Sequence, residues 1–151
     1  WFGIAGKSFD LCFLSKQLPI ALELARACDN TSLILNHCGV PDIAGDGLDP
    51  WRQNIEALSQ LPNVTCKLSG LMAYCAAGTA SLEKIEPYVD QVLNCFGPNR
   101  MVWGSDWPVI NLAKGLPEWI SVTREILSKL SNDEANAVAH GTAQTIYKVK
   151  L

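Results

Sequence analysis

The hydrophobic positions of this chain switch between two periodicities. Four short runs, Ser8–Phe13, Ser32–His37, Val64–Ser69 and Arg100–Asp106, are dense in apolar, β-branched or aromatic residues and are bounded by turn formers. Such runs read as strands. None alternates cleanly between apolar and polar, which is the pattern of strands buried on both faces.

Between and after the runs, apolar residues recur at helical spacing. Gln17–Cys28 sets Leu18, Ala21, Leu22 and Ala25 in one stripe, with Pro19 near the start, where a missing N–H is tolerated. Asp49–Leu61 places Trp51, Ile55, Leu58 and Leu61 on one side, with Asp49 as the expected N-cap and Pro50 at the first helical position. Ser81–Phe96 carries Leu82, Ile85, Val89, Val92 and Phe96 and stops at Gly97-Pro98. Pro117–Leu130 carries Trp119, Thr123, Ile126 and Leu130. A last helix is expected from Asn132 to about Tyr147, opened by Ser131 and Glu134 as a capping box. Gly141 interrupts it, marking either a packing contact or a break into two short helices.

The order is therefore βαβαβαβα plus a terminal helix, which predicts an α/β fold with parallel strands. Four such units make either half of a barrel or a small open sheet. No glycine-rich phosphate turn follows Phe13, where the chain reads Leu14 to Pro19, so a dinucleotide-binding sheet is disfavoured. The longest loops, 39–48 and 70–80, follow the second and third strands, where α/β proteins place function.

Composition narrows the classes. Of 151 residues, 48% are hydrophobic and 18% charged, enough to fill one core. The net charge of −3 gives no basic face, so neither nucleic acid nor an anionic membrane is an expected partner. The apolar runs are too short to span a bilayer. Cys12, Cys28, Cys38, Cys66, Cys75 and Cys95 form no CxxC pair, and are read as reduced thiols of a cytoplasmic protein. The chain opens at Trp1 without methionine or a leader, so a longer native chain is expected.

In parallel α/β proteins the ligand lies at the carboxyl ends of the strands. The polar residues ending the runs are Asn36 and His37, Lys67 and Ser69, and Ser105 and Asp106, while the first run offers Asp10 in its middle and Ser15 beyond it. Asp106, followed by Trp107-Pro108, is placed to be a general base near apolar walls; a turn cap is the alternative. His37 is the only histidine at a strand end. It is either a ligand-binding imidazole or a buried histidine bonded to a carbonyl. Lys67 stands inside a strand, where lysine is rare unless paired or functional. It either pairs with a substrate carboxylate or Asp106, or snorkels from an edge strand. Trp107 is the best pocket tryptophan, whereas His140 and Tyr147 read as packing or surface residues. Asp42, Asp46 and Asp49 lack calcium-loop spacing and read as turn and helix caps.

Three segments, Leu33–Ile43 (LILNHCGVPDI), Asn63–Leu71 (NVTCKLSGL) and Met101–Val109 (MVWGSDWPV), together resemble the amidohydrolase-related group of TIM-barrel hydrolases. That group includes fucono- and rhamnono-lactonases and pyrone-dicarboxylate lactonase. The resemblance in order and spacing runs over about residues 8–148. It implies that residues 1–151 form one partial domain, the C-terminal half of a (β/α)8 TIM barrel, with strands five to eight. It implies Asp106 as the base that activates water. It also implies that His37, with Asp106, binds one divalent metal such as zinc in metal-dependent relatives, or that His37 polarises a lactone carbonyl in metal-independent ones. Lys67, Ser69 and Trp107 are the expected substrate-binding residues. The family's His-x-His pair has no counterpart here, and Gly141-Thr142-Ala143 stands where Gly-Asn-Ala is common. The expected activity is opening of a small-molecule cyclic ester. The alternatives are a metal-dependent decarboxylase on the same barrel, or a chain inactive by itself that self-associates to cover its sheet edges.

Overall fold

Each predicted strand and helix is present in a computed structural model, which describes residues 2–149. The strands are β1 (Ser8–Leu11), β2 (Ser32–Leu35), β3 (Val64–Leu68) and β4 (Met101–Trp103). The helices are α1 (Leu18–Ala27), α2 (Trp51–Ser59), α3 (Leu82–Phe96), α4 (Gly115–Leu127), α5 (Asn132–Asn136) and α6 (Thr142–Ile146). All pairings are parallel and the sheet order is β1-β2-β3-β4.

Register decides which residues share a face. Leu11, Leu35, Cys66 and Met101 are partners along one row, all completely buried. They turn toward the helices. Alternation puts Asp10, Ile34, Thr65, Lys67 and Val102 on the opposite face. Helix stripes supply the rest of the core: Leu18, Ala21 and Ala25 from α1, Trp51, Ile55 and Leu58 from α2, and Trp119 and Ile126 from α4.

Each strand is shorter than its apolar run. Phe13, Asn36, His37, Ser69 and Asp106 lie beyond the ladder. Asp49 is not a helix cap: α2 begins after Pro50, without a side-chain cap. Asp42 does cap a turn, accepting from the Gly45 amide at 3.1 Å. The terminal helix is two short helices joined by a π turn at Ala137–Gly141, so the glycine marks the end of a wide turn. The capping box of Ser131 and Glu134 is formed.

The terminal segment crosses the sheet on the Asp10–Lys67 face. Thr142 Oγ1 donates to the Pro98 carbonyl at 3.5 Å, the Tyr147 ring lies 5.9 Å from Lys67 Nζ, and Lys148 Nζ donates to the Gly6 carbonyl at 2.7 Å. At the amino ends of the strands, Asn63 Nδ2 reaches the carbonyls of Ala25, Cys28 and Thr31 within 3.3 Å. All six cysteines are free thiols. Among the described residues no helix is long and apolar enough to cross a membrane.

Candidate active site

Two residues that close separate strands meet at the carboxyl edge of the sheet. His37 follows β2 in a left-handed turn (φ 53°, ψ 38°) that continues through Cys38 and Val40. Asp106 follows β4, also at positive φ (55°). Left-handed backbone at non-glycine residues costs about 1–3 kcal/mol and persists only where the surroundings enforce it. Here the restraints are visible. Trp51 Nε1 donates to the Cys38 carbonyl at 2.8 Å, and Trp119 Nε1 donates to the Gly104 carbonyl at 2.9 Å. Two buried indoles from the helix layer thus hold the turns that carry the site.

The geometry brings His37 Nδ1 to 3.8 Å from Asp106 Oδ1 and 2.9 Å from Ser69 Oγ. Gly70 makes the approach possible. Its φ is +74°, and a Cβ there would lie 2.8 Å from His37 Nδ1 and 3.1 Å from Asp106 Oδ2. Any side chain would fill the space between the pair.

Burial dominates the electrostatics. The Asp106 side chain is 9% exposed and that of His37 19%. Desolvation raises the Asp106 carboxyl above its ordinary range, with His37 opposing. Desolvation lowers the His37 imidazole, and Lys67 lowers it further, against the pull of Asp106 and Asp10. Both groups are driven toward their neutral forms. Asp106 Oδ2 is buried with no hydrogen-bond donor among the described residues, and so is Asn36 Oδ1. A buried carboxylate oxygen without a donor is an open position for water, a ligand or a cation.

Lys67 does not pair with Asp106. Its ammonium lies 2.6 Å from Asp10 Oδ2 on β1, across the face of β2, because alternation aims Asp10 and Lys67 the same way. Ser69, one pleat farther along, carries the contact to His37 instead. Trp107 stands apart, with 67% of its surface exposed. His140 is exposed on the π turn, and Tyr147 packs over Lys67.

Two contributors, Gly70 and Tyr74, lie outside the residues singled out by sequence. Gly70 sits in the Ser69-Gly70 step after a strand, which is a usable signal for close approach. Tyr74 has no sequence signal. It ends the turn Leu71–Tyr74, and its ring meets the His37 imidazole edge-on, 6.1 Å between centroids. Burial and the Asp106 charge push its phenol up to about 12.

Parallel strands in chain order, wrapped by helices and carrying a polar pair at their carboxyl edge, define a βα-repeat protein of the (β/α)8-barrel class. Residues 5–149 match the amidohydrolase family, and the chain belongs to it. It is 35% identical over 157 residues to an L-fucono-1,5-lactonase of Burkholderia multivorans, across 97% of this chain and 53% of that protein. A solved amidohydrolase from Burkholderia multivorans with bound zinc superposes with a TM-score of 0.93 at 34% identity, over 99% of this chain and 55% of that one. A putative 2-pyrone-4,6-dicarboxylic acid hydrolase from Pseudomonas putida shares the fold, with a TM-score of 0.80 at 22% identity, over 99% of this chain and 54% of that one. The chain spans about half the length of the curated relatives it matches.

Proposed function

We propose that this chain carries the base-bearing part of a lactone-opening active site acting on a small molecule. The observation that carries the reading is the buried Asp106 carboxylate, whose Oδ2 has no donor among the described residues, beside His37 at the carboxyl edge. Likeness to the Burkholderia multivorans lactonase supports the reaction type.

Asp106 takes a proton from water, and the water oxygen attacks the lactone carbonyl. The bond from carbonyl carbon to ring oxygen then breaks, and Asp106 returns the proton to the leaving alkoxide. His37, held by the 2.9 Å contact between its Nδ1 and Ser69 Oγ, stands beside the base to stabilise the developing oxyanion. The raised carboxyl affinity makes Asp106 a better proton acceptor than an exposed aspartate.

The residues that would hold a divalent ion are His37 and Asp106, and the donor-free Oδ2 fits that role. When bound, such an ion would polarise the carbonyl and acidify water. Among the described residues no cluster of three metal-binding side chains exists, so this chain supplies two donors where catalytic zinc takes three. No observation favours the decarboxylase alternative.

The test supplies this chain with the part of the Burkholderia multivorans relative that it does not span. L-fucono-1,5-lactone opening is followed by acid release. Asp106→Asn is expected to abolish turnover, by at least ~1000-fold for loss of the base, and to keep the fold because asparagine tolerates positive φ. Retained turnover in the variant would remove Asp106 from the mechanism.

A further inference from the structure

Alternation along β3 puts Lys67 and, two residues on, Ser69 on one face, and Ser69 Oγ touches the His37 ring. The stem of Lys67 runs beside the end of β4. A Cβ on Gly104 would lie 3.5 Å from its Cγ and Cδ, and Gly104 stands two residues before Asp106. The ammonium is two bonds beyond Cδ, so rotation of the last flexible torsions sweeps it past the segment that carries Asp106.

Two carboxylates compete for that ammonium. Asp106 has a buried Oδ2 that no donor serves among the described residues. Asp10 holds the ammonium at 2.6 Å, and the Tyr147 ring adds a cation–π contact at 5.9 Å. The Lys67 side chain is only 17% exposed, so leaving it without a partner is costly. The electrostatics agree with the choice of Asp10. His37 feels Lys67 and Asp10 with opposite signs, whereas the Asp106 carboxyl answers to burial and His37 and takes no share from Lys67. An ammonium on Asp106 would occupy the open oxygen in a charge-assisted hydrogen bond and make the carboxylate a weaker base.

We propose that Asp10 is a positioning residue: it draws the Lys67 ammonium to the β1 side of the sheet and so keeps Asp106 free to act as a base. The proposal rests on the lactone-opening reading for what Asp106 does. Its own content is that the effect of Asp10 runs through Lys67. Removing the Asp10 charge turns the ammonium toward Asp106, and removing the ammonium as well frees Asp106 again.

The experiment uses the enzyme completed with the part of the Burkholderia multivorans relative that this chain does not span, as the parent, as Asp10→Asn and as Asp10→Asn/Lys67→Met. Crystal structures locate Lys67 Nζ, and acid release gives turnover. In Asp10→Asn, Nζ is expected within hydrogen-bond distance of Asp106, with turnover at least ~10-fold below the parent, the loss that follows from tying a base into a charged hydrogen bond. The double variant is expected to regain at least ~5-fold over Asp10→Asn, which a residue serving the fold alone would not give, because a second interior change then adds damage. An ammonium that stays on the β1 side in Asp10→Asn, undiminished turnover in that variant, or no recovery in the double variant would overturn the proposal. An Asp10→Asn enzyme that folds only with Lys67→Met added would overturn it too, since the ammonium would have found no second carboxylate. Loss of the fold in both variants would do the same, by making Asp10 a folding residue. The two readings separate. A parent that opens no lactone sinks the lactonase reading and leaves the position of Nζ in Asp10→Asn to decide this one, while a lactone-opening parent matched by Asp10→Asn sinks this one alone.

Discussion

At the scale of single residues, the site is built from conformations that most side chains avoid. His37 and Asp106 both sit at positive φ, and Gly70 fills the gap between them with no side chain at all. The last point yields a prediction. Gly70→Ala forces a Cβ to 2.8 Å from His37 Nδ1 and places alanine at φ +74°. The expected cost is about 1–2 kcal/mol for the backbone alone, read as a lower denaturation midpoint. Turnover of the complemented enzyme should fall at least ~10-fold as the imidazole is displaced. Unchanged activity would mean that the pair does not need its present spacing.

At the scale of elements, helices act on the site through buried indole hydrogen bonds. Trp51 at the start of α2 ties down the left-handed turn after β2, and Trp119 of α4 does the same for the segment leading to Asp106. Trp51→Phe removes the donor and leaves the buried Cys38 carbonyl without it. The expected loss is roughly 1–3 kcal/mol of stability, measured by denaturant unfolding. Local signals located these helices well. Amphipathic stripes, Gly97-Pro98 and the capping box of Ser131 all act within one or two turns of chain. The same signals misplaced Asp49 as a cap, because the Arg52 amide that such a cap would accept from donates to the Leu48 carbonyl at 2.8 Å, while Trp51 packs into the core.

At the scale of the whole molecule, four strands leave both outer edges of the sheet unpaired among the described residues. Phe2, Ile4 and Phe9 beside β1 remain 49%, 88% and 41% exposed. Open edges and apolar flanks favour association. The chain by itself is therefore expected to self-associate in a concentration-dependent manner and to open no lactone, as checked by sedimentation and by the acid-release assay. A monodisperse monomer with Asp106-dependent turnover would contradict this.

The order of strands and helices, and the placing of His37 and Asp106 at strand ends, were determined by the sequence alone. Periodicity, turn residues and strand-end polarity are written in neighbouring positions, so they survive without coordinates. What only the tertiary structure decided is which side chains meet. Lys67 turned to Asp10 and not to Asp106, and Tyr74 came to rest against His37, because inter-strand register and left-handed turns set distances between residues far apart in the chain. Those distances follow from packing summed over the whole core, and no short stretch of sequence encodes them.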